Sequence, residues 1–99
     1  MSLEILKTTT FDRWLAGLKD RRAKAKINAR LLVIQEGGVS DAKSLGCGIW
    51  ETRIHYGPGY RLYYVWRGQH VIVLLCGGDK SSQRRDIKKA REVARYFDE

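Results

Sequence analysis

The chain has 99 residues, enough for a single domain over 1–99 with its own core, and 43% of them are hydrophobic. A formal charge of +8 and a pI near 9.8 select for polyanionic partners, nucleic acid first among them. Cys47 and Cys76 are too far apart for a redox pair, and His55 and His70 complete no zinc spacing around them, so no metal or cofactor is expected.

MSLEILKTTT lacks the apolar core of a signal peptide, and no apolar run approaches the ~20 residues of a membrane span. A membrane-free, cytoplasmic protein with reduced thiols is the expectation. Leu3 to Lys7 is an apolar stretch suited to an opening strand, after which Thr8, Thr9 and Thr10 offer N-cap hydroxyls. Phe11, Trp14, Leu15 and Leu18 recur at i, i+3, i+4 and i+7, the pattern of a helix with one buried face, so the two aromatics read as core.

Asp20 caps a second helix whose Ala23, Ile27, Leu31 and Ile34 form an apolar stripe, and Gly37-Gly38 closes it. Arg21, Arg22, Lys24, Lys26 and Arg30 lie on its other side, an arrangement that is ordinarily a solvated face. Val39 to Cys47 reads as a polar connection.

Three antiparallel strands follow. From Ile49 to Tyr56, Trp50, Thr52 and Ile54 alternate with Glu51, Arg53 and His55. YGPGY then reverses the chain, with Pro58 and Gly59 expected at the central positions of a type II turn. Tyr60 to Trp66 alternates again, with Tyr60, Leu62, Tyr64 and Trp66 against Arg61, Tyr63 and Val65, which places Arg53 and Arg61 on facing strands of one hairpin. Val71 to Cys76 is apolar without interruption, as in a strand covered on both faces and placed centrally in the sheet, and Cys76 reads as a small core hydrophobe. Gly77-Gly78 is expected to free the backbone as the chain leaves the sheet toward Lys80. Ser81 or Ser82 then caps a last helix with Ile87, Ala90, Ala94 and Phe97 on its apolar edge. Its other side carries Lys80, Arg84, Arg85, Lys88, Lys89, Arg91 and Arg95 against Asp86 and Glu92, a density suited to anion binding.

GIWETRIHYGPGYRLYYVW and LLCGGDKSSQRRDIKKAREVA, in this order of elements, resemble the RelE/ParE toxin superfamily and most closely its HigB-like addiction-module killer branch. The resemblance spans essentially the whole chain. It rests on the W-E-x-R strand, the YGPGYR turn and the LLxGGDKSxQ-x-x-DI junction. It implies an α+β RelE-like fold: an N-terminal strand, a helical hairpin, a three-stranded antiparallel meander and a C-terminal helix. It also implies the toxin half of a type II toxin–antitoxin pair, a metal-independent endoribonuclease that cleaves mRNA on the ribosome and so inhibits translation. The cognate antitoxin would be of the helix-turn-helix type. The ParE branch poisons DNA gyrase on the same scaffold, which leaves a non-enzymatic gyrase poison as the alternative.

Within the ribonuclease branch, Arg53, Arg61 and Lys80 match the basic positions of the first meander strand, the turn and the junction. Attack of a 2′-hydroxyl on phosphorus needs a proton acceptor, a proton donor and cations for the developing charge. Arg61 and Arg53 suit the last task, because guanidinium stays protonated and binds phosphate oxygens in pairs. Lys80 is the candidate acid, or a base where neighbouring cations favour its neutral form, and His55 is its rival for proton transfer. Tyr56, Tyr60 and Tyr63 are expected to stack on bases, and Arg84, Arg85 and Lys88 to hold the RNA backbone. Glu51 shares the face of Arg53 and is expected to pair with it. A tyrosine near the C-terminus serves some RelE-like enzymes, but Tyr96 falls inside the last helix and does not take that role here.

Overall fold

The computed structural model describes residues 2–38 and 41–97, and of Phe97 the backbone alone, so the core position expected of its side chain lies outside the described residues. The elements are β1 (Glu4–Lys7), α1 (Thr9–Gly17), α2 (Arg21–Gln35), β2 (Ala42–Gly46), β3 (Ile49–Ile54), β4 (Tyr60–Arg67), β5 (Val71–Asp79), a 3₁₀ turn at Lys80–Ser82 and α3 (Gln83–Phe97). They form one five-stranded sheet in the order β1-β5-β4-β3-β2. β1 runs parallel to β5, and β2 to β5 are an antiparallel meander.

Side-chain alternation along the inner strands builds a core on each face of this sheet. On one, Phe11 of α1 and Ala23, Ile27, Leu31 and Ile34 of α2 pack on Ile54, Tyr60, Leu62, Tyr64, Ile72 and Leu74. On the other, Ala90 and Ala94 of α3 pack on Ile49, Tyr63, Val73, Leu75 and Cys76. Each large aliphatic or aromatic side chain so enclosed contributes about 1.5–3 kcal/mol of transfer free energy.

The helix caps anchor these layers. Thr8 Oγ1 accepts from the Phe11 N–H at 3.0 Å and donates to the Leu75 carbonyl at 2.7 Å, tying the start of α1 to β5. Asp20 Oδ1 accepts from the N–H groups of Arg22 and Ala23 at 2.9 and 3.2 Å, as expected of a cap. Gly37, at φ 95°, closes α2 with its N–H on the Ile34 carbonyl. Two cations of α2 are structural: Lys24 Nζ caps the Ala16 carbonyl at 3.0 Å, and Arg30 Nη1 reaches Thr52 Oγ1 and the Arg53 carbonyl at 3.0 and 2.9 Å.

Five expectations need correction. The meander has four strands, because part of the polar connection, Ala42–Gly46, pairs with β3 as an edge strand. An edge strand open to water shows no apolar alternation, so its sequence looks like a loop. Its hairpin turns at Cys47 and Gly48, both at positive φ (54° and 77°), as a two-residue type I′ connection requires. Second, β5 lies second from the edge, and β4 is the middle strand.

Third, Gly77 and Gly78 belong to β5 and do not leave the sheet. A β-carbon on Gly77 would collide with the Trp14 ring, and one on Gly78 with the Asp86 carboxylate. Their smallness admits α1 on one face and α3 on the other. Tyr63 pairs with Cys76 and Tyr64 with Leu74, so Leu75 is an extra residue in the ladder, and this bulge resets which face each following residue meets.

Fourth, the turn closes one residue earlier than expected: the Gly59 N–H donates to the Tyr56 carbonyl at 3.0 Å, which puts Gly57 (φ 55°) and Pro58 at its centre. Gly59 still takes a positive φ of 80°. Fifth, the cap of the last helical segment is Asp79, whose Oδ1 accepts from the Ser81 and Ser82 N–H groups, while Ser82 Oγ accepts from the Asp79 N–H. These bonds hold the Asp79 carboxyl below its ordinary pKa, the Ser81 side-chain bond being the largest cause.

Candidate functional site

Arg53 of β3 and Arg61 of β4 are direct cross-strand partners, which brings two cations together at the end of the hairpin. The capping turn that follows β5 carries Lys80 to the same end. There Arg53, His55, Arg61 and Lys80, with Ile54, Gly59 and Tyr60, line one cleft of about 220 Å³. Gly59 is the hub, since a β-carbon on it would stand 3.8 Å from Arg61 Nη1 and 3.9 Å from the Lys80 β-carbon. All four candidate catalytic residues thus share a single cavity.

Their environments differ. Arg61 is only 8% exposed along its side chain, while Arg53 is 41% exposed. Arg61 Nε lies 2.7 Å from Glu51 Oε1, a close ion pair without an aligned N–H, and Arg61 Nη1 donates to the Gly59 carbonyl at 3.2 Å. Arg53 Nε is 3.9 Å from the same Glu51 oxygen. The partner expected for Arg53 therefore belongs chiefly to Arg61. His55 stands at the lip, exposed, with Nε2 3.4 Å from Asp41 Oδ2.

Glu51 itself is fully enclosed and also accepts a 3.0 Å hydrogen bond from Gln83 Nε2 of α3. Its other oxygen and the hydroxyls of Tyr63 and Tyr64 are buried without hydrogen-bond partners among the described residues. Tyr63 is the cross-strand neighbour of Glu51, and burial first, then the Glu51 and Asp86 charges, raise its phenol far above the ordinary value. Beside it, burial pushes the Cys76 thiol up to about 12, which fits its expected place as an inert core residue.

The tyrosines expected to stack on bases do not form a platform. Tyr63 has no exposed surface, and Tyr60 is buried with its ring edge-on to Trp14 at 6.2 Å, so neither offers a face to a base. Tyr56 keeps partial exposure as a brace, donating to Asp20 Oδ2 at 3.2 Å under Lys26 Nζ, 5.3 Å from its ring centre. Burial, with Asp20 second, holds its phenol above the ordinary value. Tyr96 is 82% exposed near the end of α3 and is not among the residues lining the cleft.

Arg84, Arg85 and Lys88 are exposed along α3 and, with Ser81 and Ser82, line a shallow groove of about 450 Å³ that begins one residue from Lys80. Arg85 also borders a cavity of about 500 Å³ with Arg13, Trp14 and Lys89, which sequence reasoning did not assemble because it joins opposite ends of the chain. Glu51 and Gln83 were likewise not foreseen as a pair. The available signal for Glu51 was a carboxylate on the same strand face as Arg53, within a ladder that is otherwise largely apolar.

Among the described residues no group of His, Cys, Asp or Glu side chains is placed to hold a metal ion, and no helix is long and apolar enough to cross a membrane.

The sequence profile of the family described as phage derived protein Gp49-like (DUF891) matches residues 13–96. An uncharacterized protein of Haemophilus influenzae is 51% identical over 94 residues, covering 95% of each chain. Among solved structures, an arginine mutant of the E. coli toxin RelE in the free state superposes with a TM-score of 0.69 at 16% identity, covering 87% of this chain and 93% of that one. A chain of the RelBE2 toxin–antitoxin complex of Mycobacterium tuberculosis gives 0.66 at 24% identity, covering 81% of this chain and all of that one. At these identities the two structures establish a shared fold.

Proposed function

Because the chain belongs to the phage-derived Gp49-like family and has the fold of RelE toxins, we propose that it is the toxin of a type II toxin–antitoxin pair. In this reading it is a HigB-like, metal-independent endoribonuclease that cuts mRNA on the ribosome, in the cytoplasm, and so inhibits translation. The observation that carries it is the convergence of Arg53, His55, Arg61 and Lys80 on one cleft.

The chemistry follows from what those groups do at neutral pH. A scissile phosphate enters against Arg61 and Arg53, whose guanidinium donors neutralise the charge that grows on the non-bridging oxygens of the pentacoordinate state. The 2′-hydroxyl attacks phosphorus and the bond to the 5′-oxygen breaks, leaving a 2′,3′-cyclic phosphate and a free 5′-hydroxyl. His55 accepts the 2′-proton, and Lys80 donates one to the departing oxygen. Arg84, Arg85 and Lys88 hold the flanking backbone by charge.

An antitoxin with an acidic segment, of helix-turn-helix type, would silence the protein by covering this basic end. That an antitoxin is the partner draws support from the RelBE2 complex, whose toxin shares the fold.

The test is cleavage of mRNA by the purified chain, with and without translating ribosomes, with new 5′ ends mapped by sequencing. Arg61→Ala combined with Lys80→Ala is expected to lower cleavage by on the order of 100-fold or more. Growth arrest that persists in this folded double variant, with no new RNA ends, would overturn the ribonuclease reading in favour of gyrase poisoning.

A further inference from the structure

We propose that Glu51 is a positioning residue that sets the geometry of Arg61, the more buried of the two arginines of the cleft. The inference rests on the ribonuclease reading for its kinetic consequence.

A single oxygen, Glu51 Oε1, meets Arg61 Nε at 2.7 Å and Gln83 Nε2 at 3.0 Å. The first contact, with the bond from Arg61 Nη1 to the Gly59 carbonyl, holds the guanidinium at two points. Its remaining donors are left for the cleft that Arg61 lines. The second contact seats Gln83, the first residue of α3, directly after the 3₁₀ turn that begins with Lys80. The carboxylate therefore joins β3, β4 and the entry to α3 beneath the site.

Stability gives a poor account of this residue. Glu51 is wholly enclosed beside the apolar cluster of Ile49, Tyr63 and Val73, and its Oε2 finds no hydrogen-bond partner among the described residues. Burying a carboxylate with one oxygen unmet is costly, and an apolar side chain of similar volume would serve a core as well or better. What the carboxylate supplies is direction: an arginine opposite another arginine would otherwise swing away from its like charge. Arg53, at 3.9 Å and more exposed, stays free to follow the substrate, while Arg61 is preorganised.

Single-turnover cleavage of a single-stranded RNA by wild type, Glu51→Gln, Arg61→Ala and the double variant tests the kinetic part. Glu51→Gln keeps shape and volume. It is expected to lower the saturating rate by at least ~10-fold with the half-saturating RNA concentration within ~3-fold, and to cost less than ~2-fold once Arg61 is already alanine. Independent, multiplicative losses would mean that Glu51 does not act through Arg61, and would overturn the proposal.

The Nε–H proton resonance of Arg61 in the wild-type protein needs neither cleavage nor a variant that folds. It is expected to exchange slowly with water, and to exchange faster in Glu51→Gln. Rapid exchange in wild type overturns the positioning itself. Absence of cleavage with a protected Arg61 Nε–H would instead overturn the ribonuclease reading and leave the positioning standing.

Discussion

The two faces of the sheet bury comparable elements by opposite means. Under α1 and α2 lies an apolar layer, Ile27, Ile34, Leu62, Ile72 and Leu74, whose members are all but fully enclosed. Under α3 the apolar cluster is smaller, and Glu51 and Asp86 are buried beside it. The first face supplies stability through area removed from water. The second accepts charge in the interior and thereby holds cations in place where the sheet ends. Stability and the candidate site are thus divided between faces, and each half of that division can be broken separately.

The largest expected loss of stability is on the apolar face. Ile27→Ala removes a fully buried side chain and is expected to cost about 2–5 kcal/mol in urea unfolding, with cleavage per folded molecule unchanged. Arg61→Ala on the other face is expected to lower cleavage per folded molecule by about 100-fold, whatever it costs in stability by leaving Glu51 unpaired. A loss of activity no greater than the loss of folded protein would erase the distinction between faces.

Gly78→Ala drives a methyl group into the Asp86 carboxylate at the α3 contact. It is expected to destabilise by about 1–3 kcal/mol and, by displacing α3, to lower cleavage as well, so it changes stability and activity together from the α3 face. Asp79→Asn keeps a side-chain acceptor and loses the charge, so a smaller cost than the ~0.5–2 kcal/mol of removing a cap is expected. Because the folded-state pKa of Asp79 lies below the ordinary 3.8, its carboxylate stabilises the fold above that pH. That contribution is lost as the pH falls through the lowered value, so acid titrations of wild type and Asp79→Asn should converge there. Tyr64→Phe is the smallest, expected within about 0.5 kcal/mol in unfolding experiments, since its buried hydroxyl has no hydrogen-bond partner among the described residues.

Much of the fold was legible from local pattern. The 3.6-residue stripe of α2, the caps at Thr8 and Asp20, and the alternation of β3 and β4 depend on neighbours along the chain, and all appear as read. That Arg53 and Arg61 lie on neighbouring strands of one hairpin was legible too, but not that they pair directly, because the turn closes one residue earlier than its sequence suggests and the register shifts with it. β2 was not, since an edge strand carries polar residues on both sides and draws its hydrogen bonds from β3. The glycine pair was misread for a related reason: glycine marks a turn or a close approach equally well, and only the positions of Trp14 and Asp86 decide which.

The exposure of the tyrosines and the partner of Glu51 stand beyond sequence reasoning on the same ground. Alternation put Tyr63 on the face of Arg61, correctly, but whether that face meets RNA or a helix depends on where α3 docks. Residue types and spacing determined the elements, the basic surface and the cations of the cleft, because these follow from side-chain period and charge. The tertiary structure alone decided that α3 closes over Glu51, that Tyr63 is core, and that Lys80 meets Arg61 at Gly59. Those contacts join residues distant in sequence, and their free energy depends on docking geometry that no local pattern encodes.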